Sequence, residues 1–154
     1  MTAYDQYQEN QIMSASPEKI LLMLYDGAIR FIRQAMFGLE EENLTLFHQE
    51  IRKSMAIITE FSNSLDHTIG GDIAENLDAL YDFMIRELTK ANLHKDIEHL
   101  RTVEKLLVDL RATWGEAVEI NNQMQIPVKE LESNPKTPSI RSLPANYVPF
   151  SISR

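Results

Sequence analysis

The distribution of proline limits most strongly what this chain can fold into. No proline occurs between Pro17 and Pro127, and five of the six prolines lie from Pro127 onward. A proline inside a helix removes a hydrogen bond and clashes with the preceding turn, so this long interval can be helical throughout. The sequence therefore predicts an N-terminal segment at residues 1–15, a helical domain at residues 16–123, and a Pro-rich, partly flexible tail at residues 124–154.

The start of the first helix is marked by three consecutive residues. Ser16 is a good N-cap, and Pro17 follows at the first helical position, where its missing N–H costs nothing. Glu18 in the first turn suits the helix dipole. The helix is predicted to continue to about Leu39. It is apolar on most of its circumference, which is typical of the central helix of a bundle.

Three further helices follow from the spacing of apolar residues at steps of three or four. Gly70 and Gly71 are predicted to end the second helix, and Asp72 is predicted to be the N-cap of the third. Asp96 is the predicted N-cap of the fourth. Short connections place sequential helices antiparallel, so the predicted fold is all-α, an antiparallel up-and-down four-helix bundle. The predicted spans are residues 43–65, 72–91 and 96–123.

Composition and charge exclude several classes of protein. The formal net charge is -8, which argues against a nucleic-acid partner and against an anionic membrane surface. The absence of cysteine excludes disulfides and thiolate chemistry. The N-terminus lacks a signal-peptide pattern, and the longest apolar run, residues 20–25, is too short for membrane insertion. We therefore expect a cytoplasmic protein.

No motif in the sequence indicates catalysis. The four histidines, at positions 48, 67, 94 and 99, do not form a His-Glu-x-x-His pattern, and the chain contains no phosphate-binding glycine loop. Solvated surface histidines are the simpler interpretation. We therefore expect no catalytic residue, no metal and no cofactor. A metal-dependent bundle enzyme remains the rival from another class, and stoichiometric bound metal would favour it.

Apolar surface is the remaining candidate for function. The first helix carries more apolar residues than three partner helices need, which permits a groove for a partner helix along one flank. Seven methionines are compatible with an adaptable apolar surface. For any single residue, packing in the core is the simpler interpretation of the pattern. The spacing leaves both interpretations open.

Several segments, taken together and in order, resemble the FliS family of flagellin-specific export chaperones. The most specific is residues 15–31, Ala-Ser-Pro-Glu-Lys-Ile-Leu-Leu-Met-Leu-Tyr-Asp-Gly-Ala-Ile-Arg-Phe. Gly70-Gly71-Asp72-Ile73-Ala74, Leu80-Tyr81, Ala91-Asn92 and Thr113-Trp114 continue the match. The resemblance covers about residues 4–123 and does not include the tail.

The resemblance implies a cytoplasmic chaperone of the flagellar type III export system. Such a protein binds the disordered C-terminal region of flagellin as helices in an apolar groove, prevents premature polymerisation and delivers flagellin to a component of the export gate. It also implies that Tyr4 and Tyr7 belong to an N-terminal segment that covers the groove without a client. The positions expected to contact the client are Ile12, Leu21, Leu24, Tyr25, Ala28, Ile29, Leu80, Tyr81, Met84, Leu106, Leu107 and Leu110.

Two further hypotheses accompany this one. A helix-binding adaptor for a regulatory or co-chaperone partner, such as an anti-sigma factor, is the alternative within the binding class. Trp114 is interpreted as a structural anchor between helices. Residues 140–152 are more apolar than a linker needs, and we expect them to dock on the bundle.

Overall fold

The computed structural model describes residues 2, 3, 5, 6 and 15–130, with side chains described as far as Met124. Residues 15–130 form four α-helices joined by short connections, and this part of the chain contains no β-strand. The prediction of an all-α fold is therefore confirmed. The helices are α1 (Pro17–Glu40), α2 (Leu44–Asn63), α3 (His67–His94) and α4 (Ile97–Glu130).

Two of the predicted helix starts are confirmed by their capping hydrogen bonds. The Ser16 hydroxyl accepts a hydrogen bond from the backbone N–H of Lys19 at 3.2 Å, and Pro17 is the first helical residue. At the start of α4, Asp96 Oδ1 accepts from the backbone N–H of Glu98 at 3.0 Å. Both caps satisfy N–H groups that have no partner within the helix.

The predicted N-cap at Asp72 is wrong. The cap is Asp66, whose Oδ1 accepts from the backbone N–H groups of Thr68 and Ile69 at 2.9 and 3.2 Å. Gly71 interrupts the helical backbone with φ 53° and ψ -127°, so α3 is kinked there rather than begun there. Glycine adopts this left-handed conformation without a steric penalty. The prediction that Gly70 and Gly71 end the second helix is also wrong, because that helix ends at Asn63 and both glycines lie inside α3.

The fourth helix extends beyond the boundary that the proline pattern predicts. The sequence places its end at about Gln123, whereas α4 continues to Glu130 and includes Pro127. Proline removes one backbone donor, but its fixed φ is compatible with helical backbone, so it does not have to end the helix. The assignment of residues 124–154 to a separate tail stays a prediction.

The helices form a ring in which each one packs against its neighbours in sequence and α1 also packs against α4. The direction of α1 and α4 is shown by two ion pairs. Arg33 Nε lies 2.6 Å from Glu104 Oε2, and Arg111 Nε lies 2.8 Å from Asp26 Oδ1. Moving back along α1 therefore means moving forward along α4, as an antiparallel pair requires. The four-helix bundle is confirmed.

The core runs along the axis of the ring. Side chains from all four helices are fully enclosed there, among them Ile32, Phe47, Ile51, Leu88 and Leu100 at 0% exposure. The helices α1 and α2 approach each other closely near the end of α1. A Cβ atom added to Gly38 would lie 2.8 Å from the backbone nitrogen of Phe47, so only glycine permits this approach.

Candidate functional site

An apolar cavity of about 280 Å³ opens at the end of the bundle where α1 begins. The first two turns of α1, the last turn of α2, the middle of α3 and one residue of α4 form its walls. We call it the end cavity. Its lining residues are Pro17, Ile20, Leu21, Leu24, Glu60, Phe61, Ser64, Leu65, Leu77, Tyr81 and Trp114.

A cluster of four aromatic side chains lies at and beneath the end cavity. The hydroxyl oxygens of Tyr25 and Tyr81 are 2.6 Å apart, and Trp114 Nε1 donates to the Tyr25 hydroxyl at 3.2 Å. The Tyr25 ring stacks on Phe61 with the ring centroids 4.4 Å apart. This network joins α1, α2, α3 and α4, so the floor of the cavity is rigidly held by all four helices.

Burial keeps the floor of the end cavity uncharged. It raises the pKa of Tyr25 to about 12, because ionisation would place a charge among apolar groups. Burial also raises the pKa of Tyr81, and the adjacent Tyr25 raises it further. Both hydroxyls are therefore neutral at physiological pH and serve as hydrogen-bonding groups. An apolar side chain that enters the cavity meets no charge on its floor.

Apolar side chains at this end of the bundle remain in contact with solvent. Leu24 lies on the rim of the end cavity and is 36% exposed. Ile69 and Ile73 near the start of α3, and Ile120 and Met124 on α4, are also exposed at this end. The four helices do not cover this apolar surface themselves, which is the pattern expected of a binding surface.

A second cavity, of about 390 Å³, lies between α1 and α4. It contains Phe37 and Val108, which are both exposed, but charged groups surround them. Arg30, Arg33 and Asp26 belong to its lining. We call it the side groove. Three of its seven lining residues are charged, whereas Glu60 is the one charged residue among the eleven that line the end cavity, so an apolar segment meets more charged groups in the side groove.

The structure brings together part of the predicted client-binding set. Leu21, Leu24 and Tyr81 line the end cavity, and Tyr25 lies directly beneath it. Ile29 lies on the side groove instead.

The other predicted positions lie elsewhere. Ala28, Met84 and Leu107 are fully buried in the core, so a client would contact them only if the helices separated. The remaining three, Leu80, Leu106 and Leu110, are partly buried against the core. Ile12, Tyr4 and Tyr7 lie outside the described residues. The assignment of the whole set to client binding stays a prediction.

Sequence reasoning missed several residues of the end cavity. Phe61, Leu65 and Leu77 line it, although none of them was among the positions expected to contact the client. Trp114 was interpreted as a structural anchor; it is buried and hydrogen-bonded to Tyr25, but it also forms part of the cavity wall. The available signal was that Leu77 and Tyr81 are four residues apart and therefore share a helix face.

The part of the chain that the structure describes does not support a metal site or a membrane-spanning helix. Among those residues, no group of three or more His, Cys, Asp or Glu side chains could hold a metal ion. His99 is partly buried, with Nδ1 2.9 Å from Glu87 Oε1, and so is not simply solvated. None of the described helices is long and apolar enough to cross a membrane.

Fold and cavity together define a class: an all-helical protein with an apolar cavity at one end. The family model for the flagellar protein FliS matches residues 1–121, and the chain belongs to this family. It is 39% identical over 107 residues to the flagellar secretion chaperone FliS of Salmonella typhimurium, an alignment that covers 69% of this chain and 79% of the relative.

Two more relatives carry the same description. The flagellar secretion chaperone FliS of Bacillus subtilis is 33% identical over 116 residues, or 75% of this chain and 86% of the relative. That of Escherichia coli is 31% identical over 121 residues, or 78% of this chain and 89% of the relative. The family supports a role in flagellar export as a chaperone and not as an enzyme.

Proposed function

We propose that this protein binds the C-terminal region of flagellin in the cytoplasm before export. The bound segment is helical, with apolar side chains inserted in the end cavity. Binding prevents premature polymerisation, and the complex is delivered to a component of the export gate. The observation that carries the proposal is an open apolar cavity in a member of a family of flagellar secretion chaperones.

The energetics of such binding are favourable with few anchor residues. A segment that folds on binding loses about 2–5 kcal/mol in ordering. Full burial of one Leu or Phe side chain returns about 1.5–3 kcal/mol. Two or three apolar side chains of an amphipathic helix therefore offset the ordering cost, and any further contact adds affinity. Neither a nucleotide nor a metal is needed for this balance.

The size of the end cavity limits what enters it. Its volume of about 280 Å³ is just below the range of about 300–1,000 Å³ that is common for small-molecule pockets. It therefore accepts a few side chains and not a whole helix. The client helix would lie across the rim at Leu24 and continue over the exposed apolar residues at the same end, such as Ile69 and Ile120.

Polar groups near the end cavity suit a peptide partner. Glu60 and Ser64 lie on its wall, where they can bind exposed N–H groups at the end of a client helix. Farther along α4, Asn121 is 4% exposed, and its Oδ1 has no hydrogen-bond partner within the described structure. A buried acceptor without a partner is costly, so a donor from a bound segment would be stabilising there.

Leu24→Asp tests the proposal directly. Because Leu24 is at the rim, the charge will be solvated in the free protein but must be desolvated under a bound helix. We expect at least a tenfold loss of affinity, equivalent to about 1.4 kcal/mol, for a flagellin C-terminal peptide measured by titration calorimetry. The matched control is Leu93→Asp, because Leu93 is 71% exposed on α3 at the opposite end of the bundle.

The outcomes are distinct. Both variants should keep the thermal unfolding midpoint of the unchanged protein, and Leu93→Asp should keep its affinity. Equal affinity of the two variants for the peptide would contradict the proposed site. Absence of peptide binding to the unchanged protein, with tighter binding of a helix from an anti-sigma factor or a co-chaperone, would favour the adaptor alternative.

A further inference from the structure

The C-terminal tail lies outside the region shared with the family. The family model ends at residue 121, and the alignments with relatives cover more of each relative than of this chain. The tail nevertheless carries a cluster of large apolar side chains, which a connecting segment does not require. These are Leu143, Tyr147, Val148, Phe150 and Ile152.

The length of the tail allows it to return to the end cavity, although α4 runs past the cavity wall. Trp114 is in the cavity wall, and α4 continues from there to Glu130, a rise of about 24 Å at 1.5 Å per residue. The 13 residues from Glu130 to Leu143 span up to about 43 Å when extended, at about 3.3 Å per residue. The apolar cluster can therefore return to the cavity with length to spare.

Charge favours the end cavity over the side groove. From residue 133 onward the tail contains three basic residues and no acidic one. Glu60 lines the end cavity, and Asp78 lies on the adjacent α2–α3 surface that shares Tyr81 with it, where Asp82 is already ion-paired with Arg86. The side groove instead presents Arg30 to an incoming segment. A basic segment is attracted to the first surface more than to the second.

The tail also contains prolines on both sides of its central aromatic residue. Pro144 and Pro149 flank Tyr147 in the sequence. Proline restricts the unbound chain, so a Pro-containing segment loses less conformational entropy when it docks than a Gly-rich segment of equal length. A short segment with a few apolar anchors can therefore occupy the cavity without forming a helix.

We propose that residues 143–150 are an internal ligand of the end cavity. Tyr147 and Phe150 insert into the space between α1, α2 and α3. Glu60 and Asp78 attract the basic residues on either side of this segment. The tail would regulate client binding because it covers the apolar cavity until flagellin displaces it. This part of the inference rests on the proposed function. The apparent affinity for the client is then reduced by the fraction of molecules whose cavity is open.

The first test uses no client. Trp114 is the single tryptophan of the chain and is 7% exposed at the cavity wall, so its emission reports on occupancy of the cavity. In the full chain, Tyr147→Ser with Phe150→Ser should increase acrylamide quenching of Trp114. The matched control, Ser139→Ala with Ser142→Ala, changes the same tail without removing an apolar anchor and should leave quenching unchanged.

The second test adds a flagellin C-terminal peptide. If the tail occupies the cavity in most molecules, the Tyr147→Ser, Phe150→Ser variant should bind the peptide about threefold to tenfold more tightly than the unchanged protein. Increased quenching without tighter binding would support docking and overturn competition. Absence of peptide binding to every variant would defeat the proposed function, while the quenching comparison would still decide whether the tail docks.

Two results would overturn docking itself. One is identical Trp114 quenching in the unchanged protein and in the tail variant. The other is quenching that increases only with Tyr4→Ser and Tyr7→Ser, because the N-terminal segment would then be the occupant.

Discussion

At Gly38 and Phe47 the backbones of α1 and α2 approach each other closely. At the start of α1 the helices instead enclose the end cavity. The first of these, the packed end, has no space for even one methyl group at Gly38. The second, the open end, leaves Leu24 in contact with solvent. The two ends therefore differ in how closely the helices approach each other and not in exposed apolar surface, because Phe37 and Leu93 at the packed end are exposed as well.

Polar contacts between helices occur at both ends. Near the packed end, His48 Nδ1 bonds Asn92 Oδ1, and Glu87 lies 2.9 Å from His99. At the open end, buried hydroxyl and indole groups beneath the cavity add to the exposed ion pair between Arg111 and Asp26. An apolar cavity needs this buried support, because its walls lack the opposing side chains that hold a closed core together.

The largest expected effect concerns the packed end. Gly38→Ala places a Cβ against backbone atoms of α2, which cannot rotate away, and should lower the free energy of unfolding by about 1–3 kcal/mol. The control is Gly27→Ala in the same helix, where the new Cβ meets Ile57 Cδ1 at 3.7 Å, an ordinary contact. That variant should be stabilised by about 0.5–1 kcal/mol through helix propensity. Urea unfolding measures both, and equal changes would contradict the packed-end description.

The support beneath the open end is tested by Tyr25→Phe. The change removes the hydroxyl that accepts from Trp114 and bonds Tyr81, and it should cost about 1–2 kcal/mol in urea unfolding at pH 7. Tyr25 has a pKa raised to about 12, so the unfolded state ionises first as the pH increases above 10. Its contribution is complete below pH 10 and is lost as the pH rises through about 12.

In Tyr25→Phe, stability should therefore decline less steeply between pH 10 and pH 12 than in the unchanged protein. Absorbance at 295 nm checks the same point, because Tyr25 and Tyr81 should both ionise above pH 10. Ionisation of these two tyrosines near pH 10 would show that the floor of the cavity is open to water.

The smallest expected effect concerns the α3–α4 bridge near the packed end. The pKa of Glu87 is lowered by its hydrogen bond to His99, with a smaller contribution from Lys90. Its contribution is therefore present above pH 4.5 and is lost as the pH falls through the lowered pKa. Glu87→Gln should cost about 0.5–1.5 kcal/mol at pH 6 and progressively less at acidic pH.

Thermal or urea unfolding across this pH range measures the difference between Glu87→Gln and the unchanged protein. Glu98→Gln is the control, because its ion pair with Arg101 is exposed and should contribute at most about 0.5 kcal/mol. A difference that does not depend on pH would assign the effect of Glu87 to packing rather than to its charge.

Local signals in the sequence predicted most of the fold. Ser16 with Pro17, and Asp96, mark helix starts through interactions that span a single turn, so no other part of the chain is needed to recognise them. The α2–α3 boundary was placed too late, because the prediction put the N-cap at Asp72 whereas Asp66 caps α3. The choice between them depends on how far the end of α2 must extend to reach α3, which is a property of the packed bundle.

The candidate site was predicted only in part for the same reason. Leu21, Leu24 and Tyr81 were expected at a client surface and line the end cavity, whereas Met84 was expected there and lies in the core. All four belong to apolar stripes of similar spacing. Periodicity gives the face of a helix on which a residue lies, but it does not give the distance to the next helix.

The sequence by itself therefore determined the helices, their order and their apolar faces, because hydrogen bonding within a helix and capping act over a few residues. The tertiary structure alone decided which end closes and which stays open. That outcome depends on the volumes of side chains that come from distant parts of the chain. Glycine at position 38 allows two helices to pack closely. Leu24, Phe61 and Leu77 line a cavity that their side chains do not fill.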